Sequence, residues 1–401
     1  MKGRRVVYLV AGVFAVAGVL LLAGPAGAAR QAHATAATNV ACGDTITASI
    51  TINGDLDCSA YTGPALTIDQ PGVTLNLGGH TITGNSGGSS DTVVLADDTC
   101  AYGGQCNNET VTNGTITGGY DQIDFWGQND TASNLTLTDA ADIGVYLNYA
   151  TNALVSGNTI TGAGEEGIYG EYGSSNVIDS NVLKDDTYNV YFDYEQADTI
   201  SNNNSSISGD DTSSYNFYDS ESDLNTYTNN VTAGGRYGYY IDPGEDGSVT
   251  MTGNGARAAK HTSSETGSGF YIYEAYHWSY AAPYSVFSGN VATGNYIGYY
   301  DYYSAYALWL ENTANYSGNI GFWFEEPSRE QIIGNVSKYN GDSGFYLEDT
   351  YEGDNALAFA NNQAWYNQDY GFYADYSQAG SNNTGSNTNS PLDCYDVSGC
   401  S

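Results

Sequence analysis

Acidic residues follow aromatic residues at one fixed spacing along most of this 401-residue chain. The segments IGFWFEE (320–326) and SGFYLED (343–349) both run glycine, apolar, aromatic, apolar, acid. Ten copies of this phrase can be aligned, and seven of them hold an acid two residues after the central letter. The residues two places after the central letter of the ten copies are Asn148, Glu171, Asp193, Asp219, Asp242, Tyr273, Tyr302, Glu325, Glu348 and Asp375. Paired carboxylic acids are the groups that hydrolyse glycosidic bonds, because one protonates the leaving oxygen while the other activates water or attacks.

The first-choice catalytic candidates are the acids in the middle of this series, where a polymer would be held from both sides. They are Asp193, Asp219 and Asp242. If such acids form a column with a spacing of about 4.8 Å, neighbours fall near the separation of retaining glycosidases, and acids two steps apart fall near that of inverting enzymes. The spacing permits either mechanism. Glu325 and Glu348 are the second choice.

The central letters form an aromatic series with spacings of 22 to 31 residues. Its members are Tyr146, Tyr169, Tyr191, Phe217, Tyr240, Tyr271, Tyr300, Trp323, Tyr346 and Tyr373. One interpretation is structural, since like rings in neighbouring turns stack and stabilise a sheet. The other is that the rings bind the apolar faces of sugars, while Glu171, Glu325 and Glu348 accept hydrogen bonds from sugar hydroxyls. The two interpretations are compatible, and both remain open.

A period near 23 residues with short apolar runs and no helical pattern indicates a parallel β-solenoid. Because side chains alternate across a strand, Phe345 and Leu347 are predicted to face the core, with Tyr346 and Glu348 facing solvent. A second repeated mark is an asparagine after an apolar run. Such asparagines tolerate a left-handed backbone and can stack their amides in a ladder, so we interpret them as structural. They are Asn158, Asn181, Asn290 and Asn335.

The repeat resembles the right-handed parallel β-helix repeat proteins of the pectate-lyase-like superfamily. The opening segment CGDTITASITINGDLDC…GPALTIDQPGVTLNLGGHTITG (42–84) is also similar to the entry turns of secreted members, and the resemblance spans roughly residues 42–380. It implies an all-β, single-stranded, right-handed coil of about 12 turns with disulfide-tied ends. The group includes lyases, glycosidases, epimerases and proteins without known chemistry. The motifs Arg-x-Pro-x-x-Arg, Gly-His-Gly and Arg-Ile-Lys are missing from the sequence, which argues against pectin cleavage.

The amino terminus is typical of a secretory signal peptide. A positive start (Lys2, Arg4, Arg5) precedes an apolar run (6–22) and a small-residue cleavage site (26–28). We therefore expect a secreted, extracellular protein. The predicted organisation is a signal peptide (1–29), a linker (30–41), N-terminal rungs and a cap (42–110), a parallel β-helix (111–380), and a low-complexity tail with a C-terminal disulfide loop (381–401).

Six cysteines are spaced as three local pairs without a zinc-binding spacing. In an oxidising compartment they are expected to form disulfides. The simplest pairing is Cys42 with Cys58, Cys100 with Cys106, and Cys394 with Cys400, although six cysteines allow 15 connectivities.

The net charge of −36 is extreme, since all 46 acids and only seven Lys or Arg residues follow residue 29. Such a surface repels nucleic acid, and the expected partner is a neutral or cationic extracellular polysaccharide. A glycoside hydrolase is the favoured enzyme class, ahead of a lyase or epimerase. The alternative is a non-enzymatic, acidic cell-surface or matrix protein, adhesin-like, in which Ca²⁺ bridges the carboxylates. We expect a monomer that is free of the membrane after signal cleavage.

Overall fold

The computed structural model describes residues 37–88, 91–96, 107–208, 213–244, 247–260, 267–275, 284–349, 357–386 and 393–400. Every element in these ranges is a β-strand, and each strand pairs in parallel with strands one turn away. The chain thereby coils through about 13 turns, and most turns contribute one short strand to each of three faces. We call these faces sheets 1, 2 and 3, in the order in which one turn of the chain visits them.

Sheet 1 contains the glycine–aromatic phrases. Its strands are Asp44–Ile46, Leu66–Ile68, Val94–Ala96, Ile123–Phe125, Val145–Asn148, Glu166–Glu171, Tyr188–Asp193, Tyr215–Ser220, Tyr237–Asp242, Ser268–Tyr273, Ile297–Tyr302, Phe322–Glu325, Phe345–Glu348, the start of Phe372–Ser386, and Cys394–Cys400.

Sheet 2 follows after a short corner. Its strands are Ala37–Thr38, Ile50–Ile52, Thr74–Asn76, the first halves of Thr110–Gly118 and Thr131–Thr138, Leu154–Ser156, Val177–Asp179, Thr199–Ser201, Asn225–Thr228, Val249–Thr252, Val286–Ser288, Leu308–Leu310, Gln331–Ile333, Ala358–Ala360, and a middle part of Phe372–Ser386.

Sheet 3 completes each turn. Its strands are Leu56–Asp57, Thr81–Gly84, the second halves of Thr110–Gly118 and Thr131–Thr138, Thr159–Thr161, Val182–Lys184, Asn204–Ser206, Val231–Ala233, Gly255–Arg257, Val291–Thr293, Thr313–Asn315, Val336–Lys338, Gln363–Trp365, and the end of Phe372–Ser386.

The core is a column of apolar side chains that alternate with outward residues, as the pattern predicts. Phe345 and Leu347 are fully buried, whereas Tyr346 and Glu348 between and beside them are partly exposed. Seven core rings of sheet 1 stack in register with centroids 4.6 to 5.1 Å apart. They are Phe217, Tyr239, Phe270, Tyr299, Phe322, Phe345 and Phe372. Each such contact adds about 0.5–1.5 kcal/mol beyond the area that it buries.

An asparagine ladder fixes the corner between sheets 2 and 3. Ten buried asparagines form a chain of nine hydrogen bonds, each from Nδ2 of one asparagine to Oδ1 of the asparagine in the next turn, at 2.9 to 3.2 Å. They are Asn158, Asn181, Asn203, Asn230, Asn254, Asn290, Asn312, Asn335, Asn362 and Asn383. Because the corner is buried, these amides satisfy backbone groups that water cannot reach. The structural role predicted for the asparagines is confirmed.

Disulfides tie both described ends of the coil. Cys42 and Cys58 are bonded with their Cα atoms 5.6 Å apart, and Cys394 and Cys400 with theirs 6.2 Å apart. Cys100 and Cys106 lie outside the described residues, as do the predicted signal peptide and residues 30–36 of the linker.

The coil extends beyond the boundary predicted at residue 380. Strand Phe372–Ser386 continues through all three sheets, and Asn383 occupies the last position of the asparagine ladder. The low-complexity composition of this segment therefore reflects outward polar positions of one more turn. In the described part of the chain, no helix is long and apolar enough to cross a membrane.

Candidate functional site

A column of rings follows the outward surface of sheet 1. One ring per turn occupies the same register position, since each is paired with the ring in the turn before and after. This aromatic column consists of Tyr146, Tyr169, Tyr191, Tyr218, Tyr240, Tyr271, Tyr300, Trp323, Tyr346, Tyr373 and Tyr395. All are partly exposed except Tyr395, which is exposed.

Neighbouring rings of the aromatic column contact one another, with centroids 4.6 to 5.8 Å apart. Tyr218, Tyr240 and Tyr271 are nearly parallel, with interplanar angles of 10° and 12°. The stack turns at right angles at its contacts with Tyr191 (86°) and Tyr300 (90°). Within a parallel block the rings cover one another's faces, so a ligand meets ring edges and hydroxyl groups there.

A column of carboxylates lies two residues further along each strand. We define the acidic column as Glu171, Asp193, Asp242, Glu325, Glu348 and Asp375. The acid pairs Glu171–Asp193 and Glu325–Glu348 are directly in register. In other turns the same register position holds Asn148, which is buried, and Ser220, Tyr273 and Tyr302, which are partly exposed.

The rings donate hydrogen bonds to the acids. The Tyr169 hydroxyl donates to Oε2 of Glu171 at 3.0 Å, and the Tyr146 hydroxyl donates to the same carboxylate. The Tyr300 hydroxyl donates to Glu325 in the next turn. The aromatic and acidic columns are therefore one hydrogen-bonded surface, which we call the sheet 1 face.

A second, shorter tyrosine column widens this face at mid-coil. Tyr188 and Tyr215 stack with centroids 5.1 Å apart and an angle of 9°, and Tyr237 continues the row. Tyr215 and Tyr218 meet edge to face at 84°. The guanidinium of Arg236 lies 4.8 Å from the ring centroid of Tyr237.

An open cavity of about 650 Å³ borders the middle of the acidic column. It is lined by Glu221, Asp223, Asp242, Pro243, Gly244, Gly247, Tyr273 and Glu274. The pKa of Asp242 is raised to about 6, chiefly by burial and in part by the nearby carboxylates of Glu274 and Glu221, although a 3.0 Å hydrogen bond from the Gly244 amide lowers it. Asp242 is thus poised to carry a proton at mildly acidic pH.

Comparison with known families agrees with this architecture. The family described as right handed beta helix region matches residues 71–231, 121–277 and 219–389. The chain belongs to this family. The predicted fold class, an all-β parallel coil, and its right-handedness are thereby confirmed. No curated protein sequence matches the chain.

Several solved structures are similar to this right-handed β-helix at low sequence identity. The A-module of the mannuronan C-5 epimerase AlgE6 from Azotobacter vinelandii is 13% identical, with a TM-score of 0.44, over 88% of this chain and 90% of that one. The Dettilon tailspike protein is 12% identical, with a TM-score of 0.39, over 87% and 62%. The catalytic domain of a GH87 α-1,3-glucanase is 12% identical, with a TM-score of 0.35, over 90% and 63%. At these values the similarities identify neither a substrate nor a reaction.

Most residues predicted for the face of the β-helix lie on it. The predicted aromatic positions belong to the aromatic column, with the exception of Phe217, and Asp193, Asp242, Glu171, Glu325 and Glu348 are outward. Burial raises the pKa of Asp193, with further contributions from Glu171 and Glu221.

The prediction that Asp219 faces outward is wrong. In the segment YNFYD (215–219), Tyr218 occupies the column and Phe217 stacks in the core, so the alignment was shifted by one residue. A shift of one residue exchanges the two faces of a strand. Asp219 is 1% exposed and accepts hydrogen bonds from the Tyr227 hydroxyl at 2.7 Å and the Asn225 amide at 3.1 Å. It is no longer a catalytic candidate.

Two stacks of exposed tyrosines were not predicted from the sequence. Tyr149, Tyr172 and Tyr194 stack at the corner between sheets 1 and 2, with centroids 5.2 Å apart. Tyr316, Tyr339 and Tyr366 stack at the corner between sheets 3 and 1, at 5.0 and 5.1 Å. All six have φ between 52° and 58°, an unusual conformation for a bulky residue. The sequence signal was the recurrence of tyrosine directly after an outward position, as in GEY, FDY and SKY.

The described residues contain no group of three or more His, Cys, Asp or Glu side chains arranged to hold a metal ion. The predicted calcium bridge between turns therefore remains an expectation.

Proposed function

We propose that this β-helix binds an extracellular polysaccharide, neutral or cationic, along the sheet 1 face. The observation that carries the proposal is the continuity of the ring column, in which eleven rings lie in register beside six carboxylates, and four of the rings donate hydrogen bonds to three of those carboxylates. Turns about 4.8 Å apart make the face roughly 45 Å long, which suits an extended polymer.

The chemistry of the face favours hydroxyl- or amine-bearing sugars. Carboxylate oxygens accept hydrogen bonds from sugar hydroxyls and attract protonated amines, whereas they repel sulfate, phosphate and uronate groups. Ring edges provide apolar contact between the polar groups. A rigid array of stacked rings loses little conformational entropy when a ligand binds.

Hydrolysis at the cavity is the second part of the proposal, and Asp242 is the observation that favours it. Glu221 and Glu274 belong to the turns before and after Asp242, and all three line one open cavity. Protonated Asp242 would donate its proton to the leaving oxygen, while Glu221 or Glu274 would activate water or attack the anomeric carbon. One turn of spacing places the flanking carboxylates in the range that two-carboxylate glycosidases use.

Export of the chain is part of the same proposal. The amino-terminal pattern of charge, apolar run and small residues supports secretion. The two disulfides support an oxidising destination.

The test is binding of the mature chain to immobilised neutral and cationic polysaccharides, with release of reducing ends measured in parallel. Tyr240→Ala and Trp323→Ala are expected to weaken binding at least tenfold, because each removes a ring from the middle of the face. Tyr316→Ala is the matched control, since that tyrosine is exposed on another corner. Absence of binding to every glycan, or equal binding by all variants, contradicts the proposal.

The alternative, a non-enzymatic matrix protein that binds calcium on its acidic surface, predicts a different result. In that case no glycan binds, and millimolar Ca²⁺ raises the melting temperature of the wild type but not of a Glu325→Gln, Glu348→Gln variant.

A further inference from the structure

Six carboxyl groups lie inside the coil as three pairs. Each of the six is at most 1% exposed, and each lies within hydrogen-bonding reach of its partner carboxyl. We call them the interior acid pairs: Glu109 with Asp130, Glu195 with Asp198, and Asp301 with Glu330. Five of them lie at the corner that leads from sheet 1 into sheet 2, and Asp301 is an inward residue near the end of the sheet 1 strand Ile297–Tyr302.

Many oxygens of these pairs accept no hydrogen bond. Both Oε atoms of Glu109 and Oδ2 of Asp130 have none, and the same holds for both Oε atoms of Glu330 and Oδ2 of Asp301. In the middle pair, Oδ2 of Asp198 has none. An ionised carboxylate in a dry interior without donors is too costly to persist.

Among the described residues, no ion pair involves the interior acid pairs, and the ion pair that is found there joins His80 to Asp55, far from these groups in sequence. The same residues include no metal-binding cluster of three or more side chains. A proton shared within each pair is the remaining way to remove one charge and to supply the missing donor.

The corner itself shows that a neutral side chain suits these positions. Asp198 accepts a 2.6 Å hydrogen bond from the amide of Asn176 in the turn before, and its own amide donates to Oδ1 of Asn225 at 2.8 Å in the turn after. The same position of this corner thus holds Asn, Asp and Asn in three consecutive turns. A protonated Asp198 has the shape and the donor of an asparagine.

We propose that each interior acid pair holds one shared proton at neutral pH, so that the coil contains three interior proton-binding sites and loses stability as the pH rises towards the point at which they empty. The proposal concerns stability and is independent of the proposed glycan binding.

The electrostatics of each pair agree. Burial and then Glu109 raise the pKa of Asp130 to about 9, and burial and then Glu195 raise the pKa of Asp198 to about 10. The pKa of Glu330 lies well above its ordinary value because of burial and Asp301. Asp219 faces the middle pair and adds negative charge to it, while Ser304 and the Trp309 indole face Asp301.

The sign of the effect follows from linkage. These carboxyls have a higher pKa in the folded coil than in the unfolded chain, so the folded state binds more protons above about pH 4. Stability is therefore highest in mild acid and falls as the pH rises towards the folded pKa values. For each proton that the folded state retains and the unfolded state has lost, the unfolding equilibrium constant rises about tenfold per unit increase in pH.

The experiment is denaturant unfolding of the full mature chain between pH 5 and pH 8. Asp198→Asn is expected to lower the slope of the logarithm of the unfolding constant against pH by about one, because the amide replaces the shared proton. Asp69→Asn, a partly exposed position with the same change of charge, is the matched control and should keep the wild-type slope. Equal slopes in the two variants overturn the proposal.

Two further measurements keep the proposal falsifiable if Asp198→Asn fails to fold. Infrared spectra of the wild type at pH 7.5 should show the carbonyl stretch of protonated carboxylic acids, and its absence overturns the proposal. Unfolding at pH 8 with Ca²⁺ or with chelator should give the same midpoint. A large stabilisation by Ca²⁺ that Asp130→Asn abolishes would assign the pairs to a divalent cation and overturn the shared proton.

Discussion

The indole nitrogen of Trp323 donates a 2.8 Å hydrogen bond to Oε2 of Glu348, one turn further along the coil. The two residues belong to different columns of the sheet 1 face, and this bond joins the columns between turns. Trp323 also stacks on Tyr300 with centroids 4.6 Å apart. A single side chain therefore couples the ring stack to the carboxylates.

Replacing Trp323 with phenylalanine separates these two roles. Burial raises the pKa of Glu348, whereas the Trp323 hydrogen bond lowers it. Trp323→Phe keeps a ring on Tyr300 and removes the donor, so we expect the pKa of Glu348 to rise further. Carboxyl ¹³C NMR titration measures the pKa of Glu348. Tyr373→Phe is the control, because it changes a ring of the same column without removing a hydrogen-bond donor from Glu348. An unchanged Glu348 titration would show that the bond does not hold the carboxylate.

Replacing one asparagine of the ladder should lower the free energy of unfolding by more than its two donated hydrogen bonds contribute. Asn230 donates to the Ile200 carbonyl at 2.8 Å and to Asn254 at 3.1 Å, and it accepts from both the backbone and the side chain of Asn203. Asn230→Ala leaves several buried groups unsatisfied, at about 1–3 kcal/mol each, so we expect a loss of at least 3 kcal/mol in unfolding free energy. Asn204→Ala, at an exposed strand position, should change stability by less than about 0.5 kcal/mol. Comparable losses in chemical denaturation would contradict a ladder in the corner.

Two adjacent rings should differ sharply in their contribution to stability. Phe270 lies in the core between Tyr239 and Tyr299, at 4.7 Å from each, whereas Tyr271 is partly exposed on the face. We expect Phe270→Ala to cost about 3–5 kcal/mol and Tyr271→Ala to cost clearly less. Thermal and denaturant unfolding measure both. The reverse order would mean that the two faces of this strand are exchanged.

If the cavity hydrolyses glycans, its pH profile is set by Asp242. A general acid must be protonated, so turnover should be high below the pKa of about 6 and fall as the pH rises through it. Asp242→Asn should lower turnover by about 100-fold or more while glycan binding persists. Asp375→Asn, in the same column near the end of the coil, should retain turnover. Full activity of Asp242→Asn in a reducing-end assay would exclude this residue as the acid.

The repeated phrases were sufficient to predict the coil, its core and the sheet 1 face. GFYLED orients Phe345 and Leu347 inward because alternation leaves no other arrangement that buries the apolar pair. Phe217 was misplaced because YNFYD contains two aromatic residues in a row, and sequence alone does not show which of them stacks on Tyr191.

Most of the interior acids could not have been anticipated from the sequence, whereas Asp301 directly follows the column ring Tyr300 and so falls at the inward position that alternation predicts. Aspartate and glutamate are usually exposed, and nothing in the sequence around Glu330 or Asp198 indicates a buried position. Four of the six directly precede a sheet 2 strand, at a corner position that is buried in most turns whatever its residue type. The cavity at Asp242 depends on the path of the segment after the strand, which has no periodic pattern.

Trp323 and Tyr346 are 23 residues apart and pair directly between neighbouring turns. One sequence repeat therefore corresponds to one turn, and the coil can be lengthened by whole repeats. Duplicating one such segment in the gene would lengthen every ladder by one member and disturb none of the existing pairings. The length of the sheet 1 face is thus set by the number of repeats and can change in steps of a single repeat.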